Sequence, residues 1–202
     1  MAYGQFESIE EVAGKFDLEV IDKGIIDMLN IEIPNYPFSE ITKRLNDSMS
    51  FINEVTICED IIKPILTQIS ARYKSLYIWS HVTYNVDKDK GLVGEPDYLI
   101  ARKTKHSGMG IPPLCVMEAK KENWEEGWAQ TLAEMYAASI QGAKIGYGVV
   151  TTGDVWMFGQ LENNIFTKDP VKISATRELQ VVFNVLNWVF DKANSSELAN
   201  AN

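Results

Sequence analysis

Five strand-length runs, residues 76–86, 97–101, 114–120, 145–151 and 155–161, bracket one alanine-rich helical stretch at 124–143. That order narrows the fold more than any other feature of the chain. The first run is aromatic and β-branched, with Tyr77, Trp79, Thr83 and Tyr84, as strands prefer. The turn Thr152-Gly153-Asp154 joins the last two runs as a hairpin, and a basic, Gly- and Pro-bearing loop at 102–113 joins the second and third. The charged turn Asp87-Lys88-Asp89-Lys90-Gly91 closes the first run. Upstream, Phe51, Val55, Cys58, Ile62, Ile65 and Ile69 recur at steps of four and three, so a helix is expected from Asp47 or Ser48 to Ser70. Pro64 should kink or divide it. A short strand at 164–167 and a helix at 176–192 follow, with Leu179, Val182, Phe183, Leu186 and Val189 inward. The expectation is an α/β fold, a mixed sheet with helices on its faces.

Residues 6–30 read as one or two short helices broken at Gly14 and Gly24, and 31–40, with Pro34 and Pro37, as an irregular connection. No interdomain linker stands out. Residues 1–193 are therefore expected to form a single domain, with 1–46 as an acidic extension packed on the core and 194–202 as a disordered polar tail. The chain's 202 residues are 46% hydrophobic, enough for a full core and too many for a disordered chain. No apolar run approaches the roughly 20 residues that span a bilayer, so no membrane partner is expected. The N-terminus lacks the basic-then-apolar order of a signal peptide, and two cysteines, Cys58 and Cys115, make no disulfide framework, so a reducing cytoplasm is the expected location. Two histidines, His81 and His106, without a CxxC pair argue against a zinc ribbon or finger. No glycine-rich phosphate loop is present, and no organic cofactor is expected.

Charge is unevenly spread. Residues 1–60 hold 13 acids and 4 bases, whereas 61–202 hold 15 of each. A net charge of -9 makes a poor non-specific ligand for nucleic acid.

Two stretches carry chemistry. In Glu95-Pro96-Asp97-Tyr98 an aspartate opens an apolar strand, and in Glu118-Ala119-Lys120 a carboxylate and an ammonium end one. Side chains two apart on a strand share a face, so Glu118 and Lys120 point the same way. Antiparallel pairing across the 102–113 loop would set Asp97 beside Glu118. Two carboxylates so close repel unless a proton or cation lies between them, and an oxygen-only pair suits Mg²⁺ or Mn²⁺. The plain alternative is a turn-capping aspartate and a solvated Glu–Lys pair. Gln130 reads equally as a surface residue, and Trp124 and Trp128, one turn apart, as core packing ahead of base stacking.

In combination these residues resemble the PD-(D/E)xK phosphodiesterase superfamily: Pro96-Asp97, twenty residues, then Glu118-Ala119-Lys120. The likeness is closest to the nuclease domain of type I restriction-enzyme motor subunits and related stand-alone proteins. Asn53-Glu54 before Ile61-Ile62-Lys63-Pro64-Ile65-Leu66 resembles that group's first helix, Gln130 with Tyr136 its Gln-led helix, and Val150-Thr151-Thr152-Gly153-Asp154 its Thr-Asn-Gly turn, with Thr152 where asparagine is usual. The resemblance implies a restriction-endonuclease-like core, αβββαβ, with extra N-terminal helices and a C-terminal helix. It implies that Asp97 and Glu118 ligate Mg²⁺ (or Mn²⁺), that Glu54 reaches the metal directly or through water, that Lys120 assists the attacking water and that Gln130 positions the lysine or the phosphate. Glu59 lies on the same helix as Glu54 at a comparable angle, and Glu54 is preferred only by its offset to Pro64. The implied function is metal-dependent hydrolysis of DNA phosphodiesters, with RNA a weaker reading. Arg102, Lys103 and Lys105, beside His106, form the one basic cluster, either a grip on the duplex backbone or a solvated hairpin tip. With so few bases, tight DNA binding implies a helper subunit or a homodimer. The competing reading is a catalytically silent nuclease-fold protein serving as an interaction or regulatory module.

Overall fold

A computed structural model describes residues 2–121 and 123–196. A twisted mixed sheet lies at its centre, with helices on both faces. The strands are β1 (Glu19–Asp22), β2 (Leu76–Ser80), β3 (Tyr98–Arg102), β4 (Cys115–Ala119), β5 (Ile145–Thr151), β6 (Val155–Glu162), β7 (Ile165–Lys168) and β8 (Ile173–Ser174). Their order across the sheet is β1-β7-β6-β5-β4-β3-β2, with β8 beside β6. The central pair β4–β5 is parallel because helix α5 (Trp124–Ile140) crosses between them, while β2–β3, β3–β4 and β5–β6, joined by non-helical loops, are antiparallel.

Alternation along the strands feeds two cores. Tyr98, Ile100, Cys115, Met117 and Ala119 face α4 (Lys63–Ser70) and α6 (Ala175–Ser196). Leu99 and Val116 face α5, where they meet Trp128, Leu132 and Met135. Glu118 is in step with Val116, so its side chain enters the α5 layer. The helix, three strands, helix and strand expected from residues 48–151 are all present in that order.

Five local expectations are corrected. The 48–70 stretch is divided into a 3₁₀ turn (Ser48–Phe51), α3 (Glu54–Ile57), a π turn (Cys58–Ile62) and α4. Pro64 has no N–H and its ring would press on the carbonyl one turn back. The π turn relieves this, with the Lys63 N–H donating to Cys58 O. The wider turn rotates what precedes it. Val55 is exposed, and the buried stripe runs through Ile57, Ile61, Ile65 and Ile69. The first strand stops at Ser80, because His81 adopts a left-handed φ of 50° that turns the chain off the sheet edge. Residues 6–30 give one helix, α1 (Ile9–Phe16), and then β1, which pairs in parallel with β7. Residues 31–40 are irregular only to Pro34. Helix α2 (Asn35–Leu45) follows and takes Pro37 in its first turn, where no hydrogen bond is lost. The last helix continues to Ser196, past residue 194 where the tail was expected, and 197–202 lie outside the described residues.

Buried Asp169 ties the N-terminal segment down by accepting from the N–H groups of Ile25, Ile26 and Val171 at 2.7, 3.0 and 2.8 Å. The β5–β6 turn packs on α3. Gly153 has φ 84°, and a Cβ there would sit 2.8 Å from Ile57 Cγ2. Gly153→Ala is therefore expected to cost about 1–3 kcal/mol, read as a lower urea midpoint with unchanged slope.

Candidate active site

The β3–β4 register pairs Tyr98 with Met117, and one further step sets Asp97 opposite Glu118. Opposed residues of antiparallel strands share a face. The two carboxylates are tied through the backbone as well. Asp97 N–H donates to Glu118 Oε1 at 3.3 Å, and Ala119 N–H donates to Asp97 Oδ2 at 2.8 Å. Asp97 keeps partial access to solvent; Glu118 is 1% exposed.

Lys120 follows β4 and is held by its N–H to Thr151 O at 2.9 Å. Its ammonium lies 4.0 Å from Glu118 Oε2 and donates to Gln130 Oε1 at 3.2 Å. The stem reaches there because α5 has a glycine in its path. A Cβ on Gly127 would lie 2.9 Å from Lys120 Cγ and 2.8 Å from Val150 Cγ1. Asp97, Glu118, Lys120 and Gln130 are thus brought together at one end of the sheet.

A further carboxyl joins them that sequence reasoning missed. Glu134 is one helical turn beyond Gln130, fully buried, and accepts from Gln130 Nε2 at 3.3 Å. Its Oε2 has no hydrogen-bond partner. A glutamate four residues after the glutamine, inside an otherwise alanine-rich helix, was the available signal. Burial, then the charges of Glu134 and Asp97, push the Glu118 carboxyl well above its ordinary value, with Lys120 opposing. Burial pushes Glu134 up to about 8, opposed by hydrogen bonds from Glu118 and Gln130. The Tyr3 and Tyr84 hydroxyls face the same charge, and burial raises both. Gly4 lies behind Gln130, so the N-terminal turn (Tyr3–Gln5) backs this network.

Other expected site residues fall elsewhere. Glu54 is exposed and accepts from the Lys121 N–H at 3.3 Å, so it touches the chain just after β4 and neither Asp97 nor Glu118. Glu59, its rival, is exposed too. Lys121 turns away from Lys120, its ammonium bonding Ile52 O at 3.2 Å. The basic cluster is at the other end of the strands: Asp97 precedes β3, whereas Arg102 ends it, five residues or roughly 16 Å along. Arg102 donates to Asn194 O at 3.0 Å and Lys103 lies over the Tyr77 ring at 5.6 Å, while Lys105 is exposed. Trp128 is core, 5.6 Å from Phe166, and Tyr136 stacks on Phe16 at 4.2 Å. Cys58 and His81, which sequence reasoning left out of the site, close on Asp97: one ligand atom from each of the three lies within 4.8 Å of the others. Burial, and then the Asp97 charge, push the Cys58 thiol up to about 12, so the free thiol is not a nucleophile.

The donor set fits a hard divalent ion. Asp97 and Glu118 form an oxygen pair tied through the backbone, the Lys120 ammonium acts on both Glu118 and Glu134, and one buried carboxyl oxygen of Glu134 is unpartnered. No protein-family model matches the chain, and no curated protein does. Among solved structures, the type IIG restriction endonuclease BpuSI superposes with a TM-score of 0.49 at 15% identity, over 84% of this chain and 18% of that one. The chain thus spans less than a fifth of that endonuclease's length. The narrower likeness to type I motor subunits rests on the sequence motifs alone. No helix of the described residues is long and apolar enough to cross a membrane.

Glu134 makes a test of this network. With its carboxyl raised from 4.5 to about 8, the folded chain binds more protons than the unfolded chain between those values, so its stability falls as pH rises through that window. In chelator-treated protein, Glu134→Gln should become progressively more stable than the parent from pH 4.5 to 8 and hold a constant margin above, by urea denaturation at each pH.

Proposed function

We propose that the chain is a divalent-ion-dependent phosphodiesterase that hydrolyses the DNA backbone. What supports this most is the cross-strand tie between Asp97 and Glu118, with Lys120 held over the same spot by Gln130. Asp97 and Glu118 would hold Mg²⁺ or Mn²⁺, which when bound supplies charge neutralisation and acidifies a coordinated water. The chain's own residues do the rest. Gln130 accepts from the Lys120 ammonium and fixes its direction. Lys120, mostly buried, places one positive charge where a phosphate gathers negative charge in the transition state, and in that dry setting the charge is screened little. Glu134 takes up the proton-sharing burden with Glu118 and so sets how strongly the pair attracts a cation. Glu54, at the rim and tied to the chain after Lys120, would reach an ion through water.

DNA binding with a net charge of -9 needs help from a second subunit, and Met49, Ile52 and Val55 offer exposed apolar contacts for one beside Glu54. The basic loop from Arg102 to Lys105 would meet DNA about a strand's length from the scissile phosphate.

Nicking of supercoiled plasmid with Mg²⁺ or Mn²⁺ tests the reading. Asp97→Asn and Lys120→Ala should each slow it at least about 100-fold, and nicking that survives both changes excludes this site. Calorimetric titration of Mn²⁺ separates an inactive site from a missing helper: binding seen in the parent should be lost in Glu118→Ala.

A further inference from the structure

Cys58, His81 and Asp97 come from three separate segments, the π turn, the residue after β2 and the residue before β3. Their convergence is built rather than incidental. His81 N–H donates to Asp97 O at 3.1 Å, which locks the two backbones together, and the left-handed φ of His81 aims its ring back at the carboxylate. His81 Nδ1 lies 3.7 Å from Asp97 Oδ1. The Tyr98 hydroxyl donates to Cys58 O at 2.9 Å and anchors the π turn against β3. The chain has only two cysteines and two histidines, and one of each meets here. Among the described residues, no other group of three or more His, Cys, Asp and Glu side chains converges in this way.

We propose that Cys58, His81 and Asp97 form a second divalent-ion site, one for a borderline ion such as Zn²⁺, which withdraws Asp97 from the oxygen pair. A thiolate, an imidazole and a carboxylate are the donor classes that such an ion selects and that Mg²⁺ does not. Zinc ligands about 2.0–2.3 Å from the ion lie roughly 3.3–3.8 Å from one another, and the His81–Asp97 separation of 3.7 Å is already in that range. Three protein ligands leave a fourth position, on the side where His81 is exposed, for water. Cys58 binds as thiolate and its proton passes to solvent; no electron moves. Asp97 serves both sites, so occupancy of one opposes the other. The binding stands on its own geometry, and only the antagonism to Mg²⁺ rests on the hydrolytic reading.

Co²⁺ is the probe, because a cobalt–thiolate bond gives a near-ultraviolet charge-transfer band. Titrated into the chelator-treated chain, Co²⁺ should raise that band to saturation at one ion per chain, and Zn²⁺ should erase it. Cys58→Ser should abolish the band. Exposed His81→Ala should weaken Co²⁺ binding at least about tenfold. Glu118→Gln should leave the band in place. No band in the parent, a band untouched by both Cys58→Ser and His81→Ala, or one lost in Glu118→Gln overturns the proposal. In the nicking assay Zn²⁺ should inhibit the Mg²⁺-supported reaction and lose potency against His81→Ala. A parent that neither nicks nor binds Mn²⁺ defeats the hydrolytic reading and leaves the cobalt result to decide the site.

Discussion

A carboxyl shut away from water, that of Glu118, sets the terms for everything near it. Burying a charge without an answering charge is costly, so the group must hold a proton or face a cation. Helix α5 supplies neither in full: it presents Glu134, a second buried acid, and Gln130. Lys120 answers one charge from 4.0 Å. The residual demand for positive charge gives this corner of the sheet its chemical character. Asp169 makes the contrast plain, since it is equally buried but satisfied by three backbone N–H groups and has nothing left to offer.

That corner persists because the layers approach closely. Gly127 on α5 lets Lys120 pass, and Gly148 on β5 lets Thr131 and Met135 pack where a Cβ would lie within 2.7 Å of both. The β3–β4 hairpin then acts as a ruler. Its open end carries Asp97 and Glu118 and its closed end the basic loop, so the two kinds of charge stay about a strand's length apart. The protein's own answering charge at the open end is Lys120, 4.0 Å from Glu118.

Elements whose residues carry their own instructions were legible. Ile145–Thr151 occupies the expected residues, and β6 and β7 differ by a residue at their ends, because apolar runs punctuated by Gly-Asp and Asn-Asn turns leave little choice. The neighbouring places of Asp97, Glu118 and Lys120 were legible too, from strand parity and hairpin pairing, whereas Gln130, a surface residue by its own pattern, was brought there only by the family resemblance. The π turn was not, because Pro64 announces a disruption without saying whether the helix kinks, breaks or widens. Nor was β1, whose four residues become a strand only by pairing with β7, some 146 positions away. Periodicity overlooked Glu134 by treating α5 as an apolar face with a polar back, when both faces are covered.

The amino-acid order by itself determined the strands from β2 to β7 with helices α5 and α6, a mixed sheet with helices on its faces, and the two carboxylates at one end of a hairpin. These follow from local pattern and from the two-residue repeat of a strand. Tertiary structure decided which charges are dry, which acids are buried beside one another, and that Cys58 and His81 meet Asp97. Such facts depend on distances between segments far apart in the chain, and no local pattern encodes them.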